Sequence, residues 1–281
     1  MIAAVDYGAG SAAEPAPVEK LKRTVSASRL NCWLRCRLKF FFRYALKISK
    51  PEPAALHYGS VVHLVLQAWN LAHWRRQPFE IARLKQVFET GWADQGQIDW
   101  EGEEPEPKNS ARSVLEKYFI ETPVKAGEMP EAVEVPVEAD LTKHGLPVLI
   151  GVLDLVRAGG RMVDFKSAAK TPDKDMALHQ NGVQLDCYSV LRREAPGRRE
   201  TGRELHHLIK TKVPNIIITP AEPMLEQERN RLFRLMEDYV VGLGRVGFIP
   251  SPGTGCLGCE FINECRRWEG DRHVYGGRHA P

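Results

Sequence analysis

The sequence predicts an α/β (α+β) fold: a central mixed sheet flanked by helices, with an N-terminal helical lobe and a cysteine-rich tail. Three observations carry this expectation. Up to about residue 130 the apolar residues recur at helical spacing, and from Ala132 onward the chain turns to β-branched runs. Two of these runs, Val148 to Val156 and Arg161 to Phe165, flank Arg157-Ala-Gly-Gly-Arg161, a tight hairpin signal. Two long helical patterns then bracket a second hairpin before periodicity fades.

Taken in order, residues 1–22 are rich in Ala, Gly, Pro and Glu and read as a disordered tail. Ser26-Ala-Ser28 offers an N-cap to a helix from Arg29 to about Lys47, with Leu30, Trp33, Leu34, Leu38, Phe41 and Phe42 as its apolar positions. Further helices are expected from Tyr58 to about Arg75, closed by Gln77-Pro78, from Phe79 to about Gly91, and from Ser110 to about Lys125. Asp99 to Asn109, acidic and Pro-rich, reads as an exposed loop. Strands follow over Ala132 to Leu141, Val148 to Val156 and Arg161 to Phe165, then a helix over Asp173 to Glu194. Glu204 to Lys212 and Asn215 to Thr219 form a hairpin across Val213-Pro214, and Pro223 to Gly242 is a long helix. One domain, 23–268, therefore comprises a helical lobe (23–130), a sheet core (131–247) and a cysteine segment (248–268), with 269–281 as a flexible tail.

Composition narrows the class. At 281 residues and 43% hydrophobic content the chain can build one large core with an appended lobe. A net charge of +3 is too mild to indicate nucleic acid by itself. No apolar run approaches the roughly 20 residues of a membrane span, and no basic segment followed by an apolar one opens the chain. The expectation is a cytoplasmic protein without membrane contact. Six cysteines, five of them clustered near the two ends of the chain, point to a metal site rather than a secreted disulfide framework.

The hairpin carries the chemistry. A period of two puts Asp164 and Lys166 on one face, and the turn can bring Asp154 alongside. Paired carboxylates bind a hard divalent cation, and a neighbouring ammonium orients or helps deprotonate a water, as metal-assisted phosphodiester hydrolysis requires. Asp-x-Lys alone is a weak signal, more often an ordinary charged hairpin rim. His63, among apolar helical neighbours, is a third ligand or an ordinary core histidine. Gln184 and Tyr188, four apart on the following helix, share a face and could contact a phosphate. Glu134 on the first strand is a further carboxylate or an edge charge.

Cys256, Cys259 and Cys265 form C-x₂-C-x₅-C, three thiols within ten residues. A fourth ligand must come from elsewhere; Cys36 and Cys32 are the candidates, and either would clasp the two ends of the chain together. Four thiolates suit Zn²⁺ or an iron–sulfur cluster. Cys187, alone in an apolar helix, reads as a core residue. From Lys20 to Lys50 there are ten Lys or Arg and no acid, interleaved with Trp33, Phe40, Phe41, Phe42 and Tyr44. Such a run, including Arg29, Arg35, Arg37, Lys39, Arg43 and Lys47, is expected to face nucleic acid.

In their order and spacing these motifs resemble the RecB-like, AddB-like branch of the PD-(D/E)XK nuclease superfamily that carries an iron–sulfur clasp, including the CRISPR-adaptation nuclease. The resemblance covers roughly residues 26–268. It rests on Ser28-Arg-Leu with Cys36-x₃-Phe40, Gly59-x₃-His63, Gly151-Val-Leu-Asp154, Asp164-Phe-Lys166, Gln184-x₃-Tyr188, and the closing cysteines. Arg37 stands where many members have Pro. The resemblance implies a restriction-endonuclease-like core and a metal-dependent DNA exonuclease acting on single strands or ends. It implies His63, Asp154, Asp164 and the Phe165 carbonyl as Mg²⁺ or Mn²⁺ ligands, Lys166 as the water-positioning group, and Gln184 and Tyr188 on the strand. It makes Cys36 the first ligand of a 4Fe-4S cluster completed by Cys256, Cys259 and Cys265. With no G-x₄-G-K-[ST] in the sequence, unwinding long duplex calls for a helicase or recombination partner; homo-oligomers occur among relatives. The competing expectation is a non-catalytic nucleic-acid-binding adaptor that keeps the fold.

Overall fold

Helix α1 (Ala16–Arg23) replaces the disorder that composition suggests for residues 16–22. Leu21 is buried, and its carbonyl accepts the Tyr239 hydroxyl at 2.9 Å, so tertiary packing supplies what the Ala-Pro-Glu composition does not. The computed structural model describes residues 16–77, 81–93, 98–99, 106–125, 127–194, 198–245 and 247–270; the rest of the expected tails, 1–15 and 271–281, lies outside these.

After β1 (Thr24–Val25), Ser26 caps α2 (Ala27–Arg35), accepting from the Arg29 amide at 3.3 Å. The single helix expected over Arg29 to Lys47 is broken at Cys36, which is extended (φ −162°, ψ 111°). The Cys36 sulfur accepts from the Lys39 amide at 3.4 Å, so one residue ends α2 and caps α3 (Arg37–Phe40), which runs into a π-helical turn over Phe41–Ala45. The lobe comprises β2 (Glu52–Pro53), α4 (Ala54–Trp74), α5 (Ile81–Ala93), β3 (Ile98–Asp99) and α6 (Glu106–Glu121). The acidic stretch is therefore only partly loop: 98–99 pair with β2, and α6 begins four residues before Ser110. Positions 79–80 and 100–105 fall outside the described residues.

The remaining elements are β4 (Ala132–Ala139), β5 (Val148–Val156), β6 (Arg161–Ala168), α7 (Lys174–Glu194), β7 (Gly202–Ile209), β8 (Asn215–Ala221), α8 (Glu226–Gly244) and α9 (Ile262–Arg267). The sheet order is β1-β5-β6-β7-β8, with β4 also paired to β5. It is mixed: β1 on β5 and β6 on β7 are parallel, the other pairs antiparallel. α7 is the crossover that parallel pairing of β6 with β7 demands. The β5–β6 turn needs two successive left-handed residues, and Gly159 and Gly160 supply them at φ 80° and 82°.

Two large cores sandwich the sheet. One gathers α1 to α3, α7 and α8 around Trp33, Leu149, Leu153, Leu191 and Tyr239; the other gathers α4 to α6 around Tyr118, Leu155, Val163, Phe165 and Leu208. Regular strands keep alternate residues on one face. Here Leu153 belongs to the first core and Leu155 to the second, and on the facing strand Val137 belongs to the first and Val133 to the second. Both strands change face at the Glu134–Asp154 step, where Glu134 is left-handed at φ 49°. β5 and β6 are paired only at Leu155↔Val163 and Val156↔Met162 and then diverge, while β1 takes the freed edge of β5 at Val148–Leu149. A wedge opens between the two motif-bearing strands. Among the described residues no helix is long and apolar enough to cross a membrane.

Candidate active site

Asp154 stands at the apex of this wedge. Its Oδ2 accepts the Phe165 amide at 3.1 Å, bridging strands that no longer pair there. From α4, His63 places Nδ1 3.6 Å from Asp154 Oδ2 and Nε2 3.0 Å from the Phe165 carbonyl. A carbonyl only accepts, so Nε2 carries the proton and Nδ1 presents a lone pair towards Asp154. Donor atoms of His63, Glu134 and Asp154 all lie within 4.8 Å of one another. Acceptors packed this closely repel unless a proton or a cation lies among them, and one imidazole with two carboxylates suits Mg²⁺ or Mn²⁺. Burial first, and then the Asp164 charge, push the Asp154 carboxyl well above the usual carboxylate range, while the Phe165 amide pulls it down. Burial likewise raises Glu134 and lowers His63.

Asp164 occupies the other flank of the wedge and is 1% exposed. Its Oδ1 accepts from Gln184 Nε2 at 2.8 Å, and Lys166 Nζ lies 2.9 Å from Oδ2. Lys166 also donates to Gln184 Oε1 at 2.8 Å, and Gln184 Nε2 reaches the Tyr188 hydroxyl at 2.8 Å. Lys166 is thus fixed from two sides. Tyr188 is raised above its ordinary pKa by burial, with the Asp154 and Asp164 charges adding to the effect, so it keeps its proton as a donor.

All six predicted catalytic residues therefore gather in the wedge, in two connected groups: His63–Asp154–Phe165, and Asp164–Lys166–Gln184–Tyr188. Asp164 lies outside the 4.8 Å acceptor set. Glu134 lies inside it, although the sequence offers only an edge carboxylate; its left-handed backbone carries no sequence signature.

The cysteines separate cleanly. Cys36, Cys256, Cys259 and Cys265 line one cavity of about 550 Å³ beside Arg35 and Lys39, whereas Cys32 does not. Cys32 is buried, and burial pushes its thiol up to about 11. Cys187 is a core residue. The Cys265 thiol is raised by burial and then by its neighbours Cys36, Cys256 and Cys259.

The basic run differs from expectation. Arg29 bonds Thr24 O at 3.0 Å, Arg37 pairs with Asp238 at 2.8 Å, Lys39 reaches Glu260 at 2.8 Å, and Arg43 pairs with the same glutamate. Acids more than 200 positions downstream thus neutralise Arg37, Lys39 and Arg43, and Glu264 does the same for Lys50, so four of the ten cations in the run bind later parts of the chain itself. Arg35 and Lys47 are exposed.

A search of curated proteins finds no match. Among solved structures, a "Putative exonuclease" from Eubacterium rectale superimposes with a TM-score of 0.61 over 92% of this chain and 92% of that one, at 16% identity, a likeness of fold. SSO0001 aligns over 82% of this chain and 93% of that one at 15% identity, with a TM-score of 0.37. The family model of the PD-(D/E)XK nuclease superfamily matches residues 24–266, spanning every strand of the main sheet and both groups of the wedge. By that match the chain belongs to the PD-(D/E)XK nuclease superfamily.

Proposed function

We propose that this protein is a metal-dependent deoxyribonuclease of the RecB-like branch, an exonuclease acting on single-stranded or end-bearing DNA in recombination, repair or phage DNA processing. The observation that carries the reading is the wedge itself: two carboxylates, an imidazole and a held ammonium meet where two strands part. His63, Asp154, Asp164 and the Phe165 carbonyl would hold Mg²⁺ or Mn²⁺. When bound, the ion supplies Lewis acidity to the phosphate and lowers the pKa of a water. Lys166 positions the attacking water and offsets the negative charge that develops on the phosphate. Gln184, bonded to Asp164 and Lys166 together, locks both side chains. Tyr188 accepts from Gln184 and retains its own O–H for a phosphate oxygen of the strand.

The four cysteines are proposed to hold a structural 4Fe-4S cluster. The iron–sulfur reading is supported by the four thiols lining one cavity and by the resemblance of their spacing to the closing cysteines of that branch. The cluster would join a clasp that the protein already makes. Leu38 N donates to Ile249 O at 3.0 Å, Phe41 stacks on Phe248 at 4.5 Å, and Lys50 pairs with Glu264 at 2.5 Å. Exposed Arg35 and Lys47 remain for DNA, and a separate helicase would supply unwinding.

The test is degradation of end-labelled linear single-stranded DNA with Mg²⁺ or Mn²⁺, wild type against Lys166→Ala. Metal-dependent cleavage lost in the variant supports the reading. Binding without cleavage by anaerobically purified, metal-replete wild type would favour the adaptor instead.

A further inference from the structure

Glu134 has the marks of a ligand. It sits in the middle of β4, where the register Val133↔Leu155 and Val135↔Leu153 brackets it opposite Asp154. Its left-handed backbone is out of place there. The other described non-glycine residues at positive φ, Lys47 and Arg76, follow the ends of helical segments, where a left-handed residue is ordinary. Inside a strand the conformation is unfavourable for any residue with a Cβ and persists only where the surroundings enforce it. The half-buried Glu134 carboxylate makes no hydrogen bond or ion pair among the described residues, and it lies in the acceptor set with His63 and Asp154. On the far flank, the fully buried Asp164 Oδ2 has no hydrogen-bond donor in line, although the Lys166 ammonium is 2.9 Å away. Both sides of the wedge thus present carboxylate oxygens whose bonding capacity the protein leaves open.

We infer that Glu134 is a protein ligand of the divalent cation, sharing it with His63 and Asp154. The inference rests on the metal-dependent reading above and deepens it. The face switch of β4 then has a function: it turns one side chain out of the sheet's alternation and into the wedge, at a cost in backbone strain and like-charge repulsion that the bound cation offsets.

The test is Mn²⁺ binding, read from the electron paramagnetic resonance of the free aquo ion, in wild type, Glu134→Gln and Asp154→Asn, alongside melting with and without the ion. Loss of groups that merely orient ligands costs about 10- to 100-fold in metal affinity, and loss of a direct ligand should cost at least as much. Glu134→Gln is expected to weaken Mn²⁺ at least tenfold by that measure, to melt higher than wild type when metal-free, and to gain less on adding Mn²⁺. Glu134→Gly, which also relieves the left-handed backbone, is read the same way should the Gln variant fold poorly. Wild-type affinity in the Glu134 variant, with binding lost in Asp154→Asn, overturns the role of Glu134 and leaves the metal site standing, and a changed metal-free midpoint with unchanged affinity in the Glu134 variant has the same meaning. Failure of wild type itself to bind Mn²⁺ overturns both.

Discussion

Replacing Gly151 by Ala should damage the enzyme, although Gly151 touches no reacting group. Gly151 lies on β5 three residues before Asp154, under α7. A Cβ built there would stand 2.7 Å from Leu191 Cδ1 and 3.9 Å from Tyr188 Cε1. Carbon atoms prefer about 3.5–4.0 Å, so roughly 0.8 Å or more must open. Leu191 is 1% exposed and packed in the core, which leaves its methyl little room to turn; the helix gives instead. Overpacking of this kind costs about 1–3 kcal/mol. At about 2–4 °C per kcal/mol for a domain of this size, the midpoint should fall by roughly 2–12 °C. The same helix carries Gln184 and Tyr188, and a displacement near 1 Å in a catalytic array can cost on the order of 10²-fold in rate. Gly59→Ala is the control. Its Cβ would meet only Ser167 Oγ, at an ordinary 3.6 Å, and Ala is favoured over Gly inside a helix by up to about 1 kcal/mol. Thermal melts and metal-dependent degradation of single-stranded DNA are measured on both. A Gly151→Ala protein that melts with wild type and keeps its rate would refute the argument, as would a Gly59→Ala protein that loses either.

Three further outcomes follow from the geometry. Glu260→Gln removes the one carboxylate that holds both Lys39 and Arg43; hydrogen bonds to charged groups contribute about 1.5–3 kcal/mol, and allowing for the exposure of the cations the loss should be about 1–2 kcal/mol, checked by denaturant unfolding at low salt and refuted by an unchanged midpoint. Cys36→Ser should abolish bound iron and visible absorbance, whereas Cys32→Ser, outside the cavity, should retain both; the opposite pattern sinks the assignment. In metal-free protein Asp154 holds its proton more tightly when folded than when unfolded, so stability falls as pH rises from the ordinary carboxylate range through the raised value. Asp154→Asn lacks that loss, so its advantage over metal-free wild type should grow with pH, and parallel stability–pH curves would count against it.

What could be read from the sequence is what short-range chemistry decides. The β5–β6 hairpin announces itself through Gly159 and Gly160, the long helices α7 and α8 through their periodicity, and Ser26 through its place before an apolar run. The residues that gather in the wedge are legible because each chemical group stands on a regular element at a fixed offset from its neighbours. The misreadings share one cause, a partner far along the chain. Residues 16–22 are helical because Tyr239 holds Leu21. The basic run reads as wholly free of acids because the partners of Arg37, Lys39, Arg43 and Lys50, which are Asp238, Glu260 and Glu264, come more than 200 positions later. Cys36 breaks a helix whose local sequence gives no reason to stop.

Glu134 belongs to a different category. Nothing in Ala132-Val-Glu-Val135 predicts a left-handed residue; a Gly or Asn there would. A strand that accepts the wrong residue type for its own backbone is locally inconsistent, and in a folded protein such inconsistency collects where function opposes stability. The same step moves Val133 and Leu155 into the second core while Leu153 and Val137 stay in the first. That exchange parts β5 from β6, gives Asp154 the Phe165 amide in place of a strand partner, and makes the wedge. The strain at Glu134 and the opening of the wedge are therefore one structural event. A substitution that relaxes the former should be felt in the latter, even with Asp154, Asp164 and Lys166 untouched.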